Sequence, residues 1–272
     1  VDMCALTEDT IIVARGEQHP QETEIVCVCV CVCNMLSVKW MRRFPGGVRS
    51  LLTMPQGPVV PSSVSSTRFE LLEQDFLEVG EYSQLRQAFK DIRVNSRRSR
   101  FLELGPVCSL CFESYDSMWF QVHEIVHIEK GSQENISEEI KAYNDMVPSG
   151  SDLKATFAIE INDKRRREQM LRKLVGIEDQ LYLQFGAHKV FARPVVPESV
   201  MHRTDRTSSL HFLRFRFSEA ERNDFRKELE SVEGQEKSSR SPLVLGCDHP
   251  EYAHIVPLSV SMMQNLGSDF VF

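Results

Sequence analysis

From residue 79 onward the apolar positions switch repeatedly between helical and strand spacing. Tyr82, Leu85, Phe89 and Ile92 recur at helical spacing in an otherwise polar stretch, which predicts a helix over 80–92. Two short apolar runs, 101–104 and 107–112, read as strands hinged at Gly105-Pro106. A helix follows, capped by Asp116 or Ser117 and running through Lys130 to a stop at Gly131. Asn135 with Glu138 makes a capping-box-like start for another over 136–145, which ends before Pro148-Ser149-Gly150. Residues 153–161 alternate most cleanly, with Leu153, Ala155, Phe157, Ile159 and Ile161 on one face and Lys154, Thr156 and Glu160 on the other. Asp163 caps a helix over 164–175 that Gly176 stops. Strands are predicted at 180–185, 188–192, 208–217 and 243–246, with a helix over 219–232 before the last. Hairpins and helices without strict β-α-β alternation predict an α+β fold: a single domain, 69–272, with a largely antiparallel sheet flanked by helices. No nucleotide-phosphate loop of either common glycine-rich pattern occurs.

Composition narrows the class. With 42% apolar and 26% charged residues the chain is globular, which excludes a disordered tail, a collagen-like fibre and a disulfide knot. Its net charge of −7 gives no bulk attraction to nucleic acid, so no nucleic-acid partner is expected. The longest apolar run, 25–33, has nine residues. A membrane helix needs about 20, so no membrane span is expected either.

The first 68 residues read differently from the rest. Residues 27–33 alternate Cys and Val, the translation of a TG dinucleotide repeat in any frame, and 1–34 is read as an unstructured gene-model extension. Between Ile25 and Phe69 no Asp or Glu occurs, while Lys39, Arg42, Arg43, Arg49 and Arg68 are all positive. An acid-free stretch containing Arg and Ser is how a mitochondrial presequence reads. Residues 35–68, opening at Met35, are therefore assigned as a transit peptide, with the mitochondrial matrix as the expected destination.

Several positions carry candidate chemistry. His123-Glu124-Ile125-Val126-His127 is an HExxH on a predicted helix: the two histidines share a face, and Glu124 could activate a zinc-bound water. No third ligand stands at the usual spacing, which favours a solvated polar helix face. Glu129 falls in the apolar arc of the same helix and in its last turn, where the dipole disfavours a carboxylate, so it calls either for an arginine or metal partner or for fraying of the helix end that turns it to water. Lys164 through Arg167 stack four positive charges at a helix start, read as a solvated face balanced by nearby acids. His211 alternates with Leu213, Phe215 and Phe217, which favours a core histidine bonded to backbone over a site residue. Cys108 and Cys111 are a lone CxxC whose thiols would face opposite sides of a strand. Asp248 and His249 follow a strand in a loop, where sites often sit.

Taken together, GPVCSLCFESYDSMWFQVHEIVHIEKG, EEIKAYNDMVPSGSDLKATFAIEI, LVGIED, SSLHFLRFRFS and LGCDHPEY resemble one bacterial family, domain of unknown function 3501. The resemblance runs in order from Val79 to about Leu258 and is nearest to alphaproteobacterial members, which suits a mitochondrial protein. It implies no activity. Family genes often lie beside rubrerythrin-like di-iron proteins and iron–sulfur oxidoreductases, which implies a link to redox or iron metabolism. Members commonly carry Gln at position 123, and other residues at Cys108, Cys111 and Cys247. The matching polar positions are Glu124, Glu129, Tyr143, Asn144, Glu160, His211, Asp248 and His249.

Three readings stand open. One is a redox- or iron-linked protein with a carboxylate/histidine site for iron, manganese or zinc, using Glu124 and Glu129 with His127, His211 or His249. The second is a zinc hydrolase using His123, Glu124 and His127. The third is a non-catalytic partner of an iron–sulfur or di-iron enzyme.

Overall fold

Eight strands form one antiparallel sheet in the computed structural model, which describes residues 69–195, 205–234, 236 and 240–272. The segments assigned to a gene-model extension and a presequence lie outside the described residues. The strands are β1 (Phe101–Leu104), β2 (Cys108–Phe112), β3 (Asp152–Ile159), β4 (Leu181–Phe185), β5 (His188–Pro194), β6 (Leu210–Arg216), β7 (Arg240–His249) and β8 (Tyr252–Ser259). Their order is β1-β2-β3-β6-β5-β4-β7-β8, and the two edges curl toward one another. At that seam Tyr252 donates its hydroxyl proton to the Leu104 carbonyl at 2.6 Å and accepts from the Val107 amide at 3.2 Å. The sheet is thus a nearly closed barrel, which leaves little open edge.

Alternation along each strand fills the barrel. Leu110, Leu153, Ala155, Phe157, Leu183, Phe185, Leu213, Phe215 and Leu245 belong to one buried core. Three helices, α4 (Lys164–Lys173), α5 (Glu219–Ser231) and α6 (Val260–Gly267), add Leu171, Phe225, Met263 and Leu266 to it. Gly246 is small for a reason: the Tyr182 ring lies flat across it, and a Cβ there would run into the ring.

The other three helices, α1 (Val79–Arg98), α2 (Tyr115–Ile128) and α3 (Gln133–Tyr143), form a separate layer in which α2 packs against both neighbours. Tyr82 and Phe89 of α1 interlock with Trp119 and Phe120 of α2 as a cluster of rings. Among the described residues no helix is long and apolar enough to cross a membrane.

Four local expectations are corrected. Ser114, not Asp116 or Ser117, caps α2, and Ser132 caps α3. At the far end of α2 Lys130 takes the left-handed conformation, at φ 53°, in place of Gly131. The Gly131 amide then reaches back to the Val126 carbonyl at 2.9 Å, closing the helix. Lys154 and Thr156 are buried too, because Thr156 donates to Glu113 at 2.6 Å and Lys154 pairs with Asp152 at 3.2 Å. Finally, β8 and α6 occupy 252–267, where no element was predicted; β8 buries its residues irregularly, and α6 has only eight residues, too few for a period to stand out.

Candidate functional site

The HExxH lies on α2, but α2 has no solvated face. From Tyr115 through Val126 every residue but Asp116 and Ser117 is buried. His123 is a core ring, its centroid 4.1 Å from Trp119, 4.3 Å from Tyr82 and 4.8 Å from Phe76. Both its nitrogens are engaged. The Trp119 carbonyl, 3.1 Å from Nδ1, can only accept, so Nδ1 carries the proton; Nε2 then accepts from the Leu77 amide at 3.2 Å. Burial pushes the imidazole pKa down to about 4 against the opposing pull of those hydrogen bonds and of Glu124. His123 is a neutral ring with no lone pair left for a metal.

Glu124 turns the other way, onto α1. Arg86 donates to it from Nε and Nη2, each at 2.8 Å, and Tyr82 donates its hydroxyl proton at 2.8 Å. Burial alone would raise this carboxyl; the hydrogen bonds of Arg86 and Tyr82, with the charges of Arg86 and Arg93, outweigh it and hold the pKa below the usual value. Tyr82 responds in kind: burial and the adjacent carboxylate push its phenol far above its ordinary range. His127 is half-buried, with Nδ1 3.0 Å from the Ser83 hydroxyl. The residues of the HExxH therefore tie α2 to α1 and to the segment before it rather than converging on a common point.

The remaining nominated residues are dispersed. Glu129 is the half-buried C-cap of α2. Tyr143 is buried at the end of α3, and Asn144 beside it accepts from the Leu71 amide at 2.9 Å, fastening the start of the described chain. Glu160 accepts from the Ser109 hydroxyl. Asp248 and His249 lie not in a loop but at the end of β7, paired with β8; Asp248 is exposed and pairs with Lys189, whose ammonium lies 3.7 Å above the Tyr182 ring. Among the described residues no three His, Cys, Asp or Glu side chains form a group that could hold a metal. Cys108 and Cys247 sit in the barrel core, where burial pushes the Cys108 thiol up to about 12 and raises Cys247 also. Such thiols are poor ligands and poor nucleophiles.

His211 and His249 both lie beside the turn that follows α4, where Gly176 takes φ 82°: His249 bonds its backbone and His211 approaches its Glu178. His249 donates from Nε2 to the Val175 carbonyl at 3.2 Å and accepts from the Glu251 amide at Nδ1. His211 sits inside the barrel end with Glu178 and Thr207, all three buried. Its Nε2 is 2.9 Å from the Ser208 carbonyl, so that nitrogen holds a proton and cannot take one from Thr207, 3.0 Å away. Thr207 donates instead to Glu178 at 3.3 Å, while Glu178 stands 4.0 Å from Nδ1. The trio looks like a nucleophile, base and acid, but its proton order does not permit that chemistry.

Reading the sequence did not single out Arg86, Arg93, Gln121 or Glu178. For the arginines a signal was present: Arg86, Lys90, Arg93 and Arg97 are spaced i, i+4, i+7 and i+11, one stripe along α1. For Gln121 and Glu178 there was none, since a single amide or acid carries no period.

A family model described as "Protein of unknown function (DUF3501)" matches residues 70–270. The chain belongs to this family. A crystal structure of a protein of unknown function from Burkholderia pseudomallei K96243 is similar, with 29% identity, a TM-score of 0.64, and coverage of 74% of this chain and 99% of that one. No curated protein matches. The described fold is thus shared with that crystal structure.

Proposed function

We propose that this chain is a non-catalytic partner protein in redox or iron-related metabolism of the mitochondrial matrix, docking onto an iron–sulfur or di-iron enzyme. One observation carries the reading: His123, Glu124, Asn144 and His249 each commit polar atoms to hydrogen bonds between distant segments of the fold, and His211 bonds the segment just before its own strand. A catalytic or metal-ligating group needs at least one lone pair or proton aimed at substrate or ion. The redox and iron link is supported by the gene neighbourhood that the family resemblance implies, and the matrix by the acid-free segment before residue 69.

The test is metal content by mass spectrometry on the full chain produced with iron, manganese and zinc supplied. The expected outcome is a substoichiometric amount of each. About one metal per chain, kept in His123→Gln but lost in Glu129→Gln or His211→Ala, would overturn the reading in favour of a carboxylate/histidine site. Loss in His123→Gln would favour the zinc hydrolase instead.

A further inference from the structure

The stripe on α1 is unusual in its company. Arg86, Lys90, Arg93 and Arg97 have one another as neighbours at three and four residues along the helix, and no acid at any of those positions. Like charges at that spacing repel. All four are half-buried, so the stripe borders the α1–α2 seam rather than standing in open solvent.

Across the seam α2 answers only part of this charge. The helices run antiparallel there, Arg86 meeting Glu124 and Arg93 meeting Gln121 one turn earlier on α2. Glu124 takes Arg86 in a two-pronged pair. Arg93 receives only the amide oxygen of Gln121, at 3.3 Å, and no carboxylate within ion-pair distance among the described residues. Lys90, between the two arginines on the stripe, makes no ion pair among the described residues.

An independent observation points to the same place. Gln121 is 6% exposed, and its Nε2 is buried without an acceptor. The amide is not simply turned the wrong way round: Arg93 can only donate, so the oxygen must face it and the NH2 must face elsewhere. Buried donors are rarely left without an acceptor. An unsatisfied amide N–H, a guanidinium lacking its carboxylate and an unpaired ammonium thus border one seam. Their common complement is a planar anion with two acceptor oxygens.

We propose that the α1–α2 seam binds a carboxylate through Arg93, Lys90 and the Gln121 side-chain amide. The half-exposure of Lys90 and Arg93 gives the approach from solvent, and the Gln121 Nε2 donates to the incoming oxygen while its Oε1 keeps the Arg93 hydrogen bond. The site stands on this geometry alone; it rests on the partner reading only for one source of the carboxylate, an acidic side chain of a docked protein. The other source is a free small carboxylate.

The experiment uses full-length chain with isotope-labelled Gln121 side-chain amide and Arg93 Nε, titrated with succinate in one arm and with a short polyglutamate peptide in the other. The expected result is a saturable shift of the Gln121 Nε2–H resonances in at least one arm. Affinity should fall at least tenfold in Arg93→Gln and at least threefold in Lys90→Gln, and remain unchanged in Lys189→Gln, which lies on the barrel. Lys90 makes no ion pair, so its variant keeps the fold even if Arg93→Gln is destabilised. Saturation by succinate identifies a small-molecule site, and saturation by the peptide alone identifies a docking contact. No saturable shift in either arm overturns the proposal, as does a shift that Lys90→Gln and Arg93→Gln leave intact. Since metal content tests the partner reading separately, a failure here is not a failure there.

Discussion

The barrel interior and the α1–α2 seam are both buried, yet they are held by different physics. Inside the barrel the strands meet through aliphatic and aromatic side chains such as Phe157, Leu213 and Phe215, whose contribution is the area removed from water. In the seam, rings surround polar atoms that each need a named partner: His123 between Trp119 and Leu77, Glu124 between Arg86 and Tyr82. The first depends on volume and the second on pairing. An apolar core is degraded by any loss of fill, whereas a polar seam responds to a change of charge that leaves its shape intact.

Four experiments would break or sharpen that contrast. Phe157→Ala, deep in the barrel, should cost about 3–5 kcal/mol, read by chemical denaturation at pH 7, with no dependence on pH. A next, slightly smaller effect belongs to His123 and is purely a matter of pH. Its folded pKa lies near 4 against 6.5 for the free side chain, so the unfolded chain takes up the proton first as the solution is acidified. Stability should therefore fall as pH drops from 6.5 to 4, by about 3 kcal/mol at most, and level off for this group below 4. In His123→Gln that slope should vanish. Glutamine can donate to the Trp119 carbonyl and accept at the Leu77 amide, so it fills the same place without a titrating ring. A slope unchanged in the variant would show that another group titrates there.

Glu124→Gln comes third. It keeps the shape of the seam and removes the carboxylate charge that Arg86 meets from Nε and Nη2. Because the Arg86 side chain is 26% exposed, water screens part of the loss, and the cost should be about 2 kcal/mol. The Glu124 pKa is held below its ordinary 4.5, so the pair's stabilisation is complete above that pH and is lost as pH falls through the lowered folded value. That window lies under the one for His123, and pH-resolved denaturation separates them. A change at Glu124 as costly as Phe157→Ala would erase the contrast. The smallest effect is Lys130→Gly, which removes a side chain from a left-handed position and should stabilise by about 1 kcal/mol, seen as a raised Tm.

Much of the barrel was legible. The apolar run 101–104 and the alternation of 153–161 mark β1 and β3, the latter because its apolar face fills the barrel although its polar face is buried too, and Asp163 and Gly176 mark the ends of α4 because a side-chain cap and a left-handed residue leave plain signatures. The seam was legible only in fragments. HExxH was visible as spacing, but spacing says that two histidines share a helix face, not what faces them. Here it is Phe76, Leu77 and Tyr82, which lie about 40 to 47 residues earlier in the chain. Glu129, placed by the sequence in the last turn of this helix, is its C-cap residue.

By itself the sequence determined the α+β class, most of the strands, the barrel-facing residues and the family, because these rest on local periodicity and on ordered strings of residues. Tertiary structure alone decided the state of each candidate group. Whether an imidazole is a ligand or a core ring depends on which groups meet its two nitrogens, and the deciding one comes from a distant part of the chain: the Leu77 amide for His123 and the Val175 carbonyl for His249. The same holds for Gln121, whose unanswered amide and neighbouring cations become a site only when α1 is laid against α2.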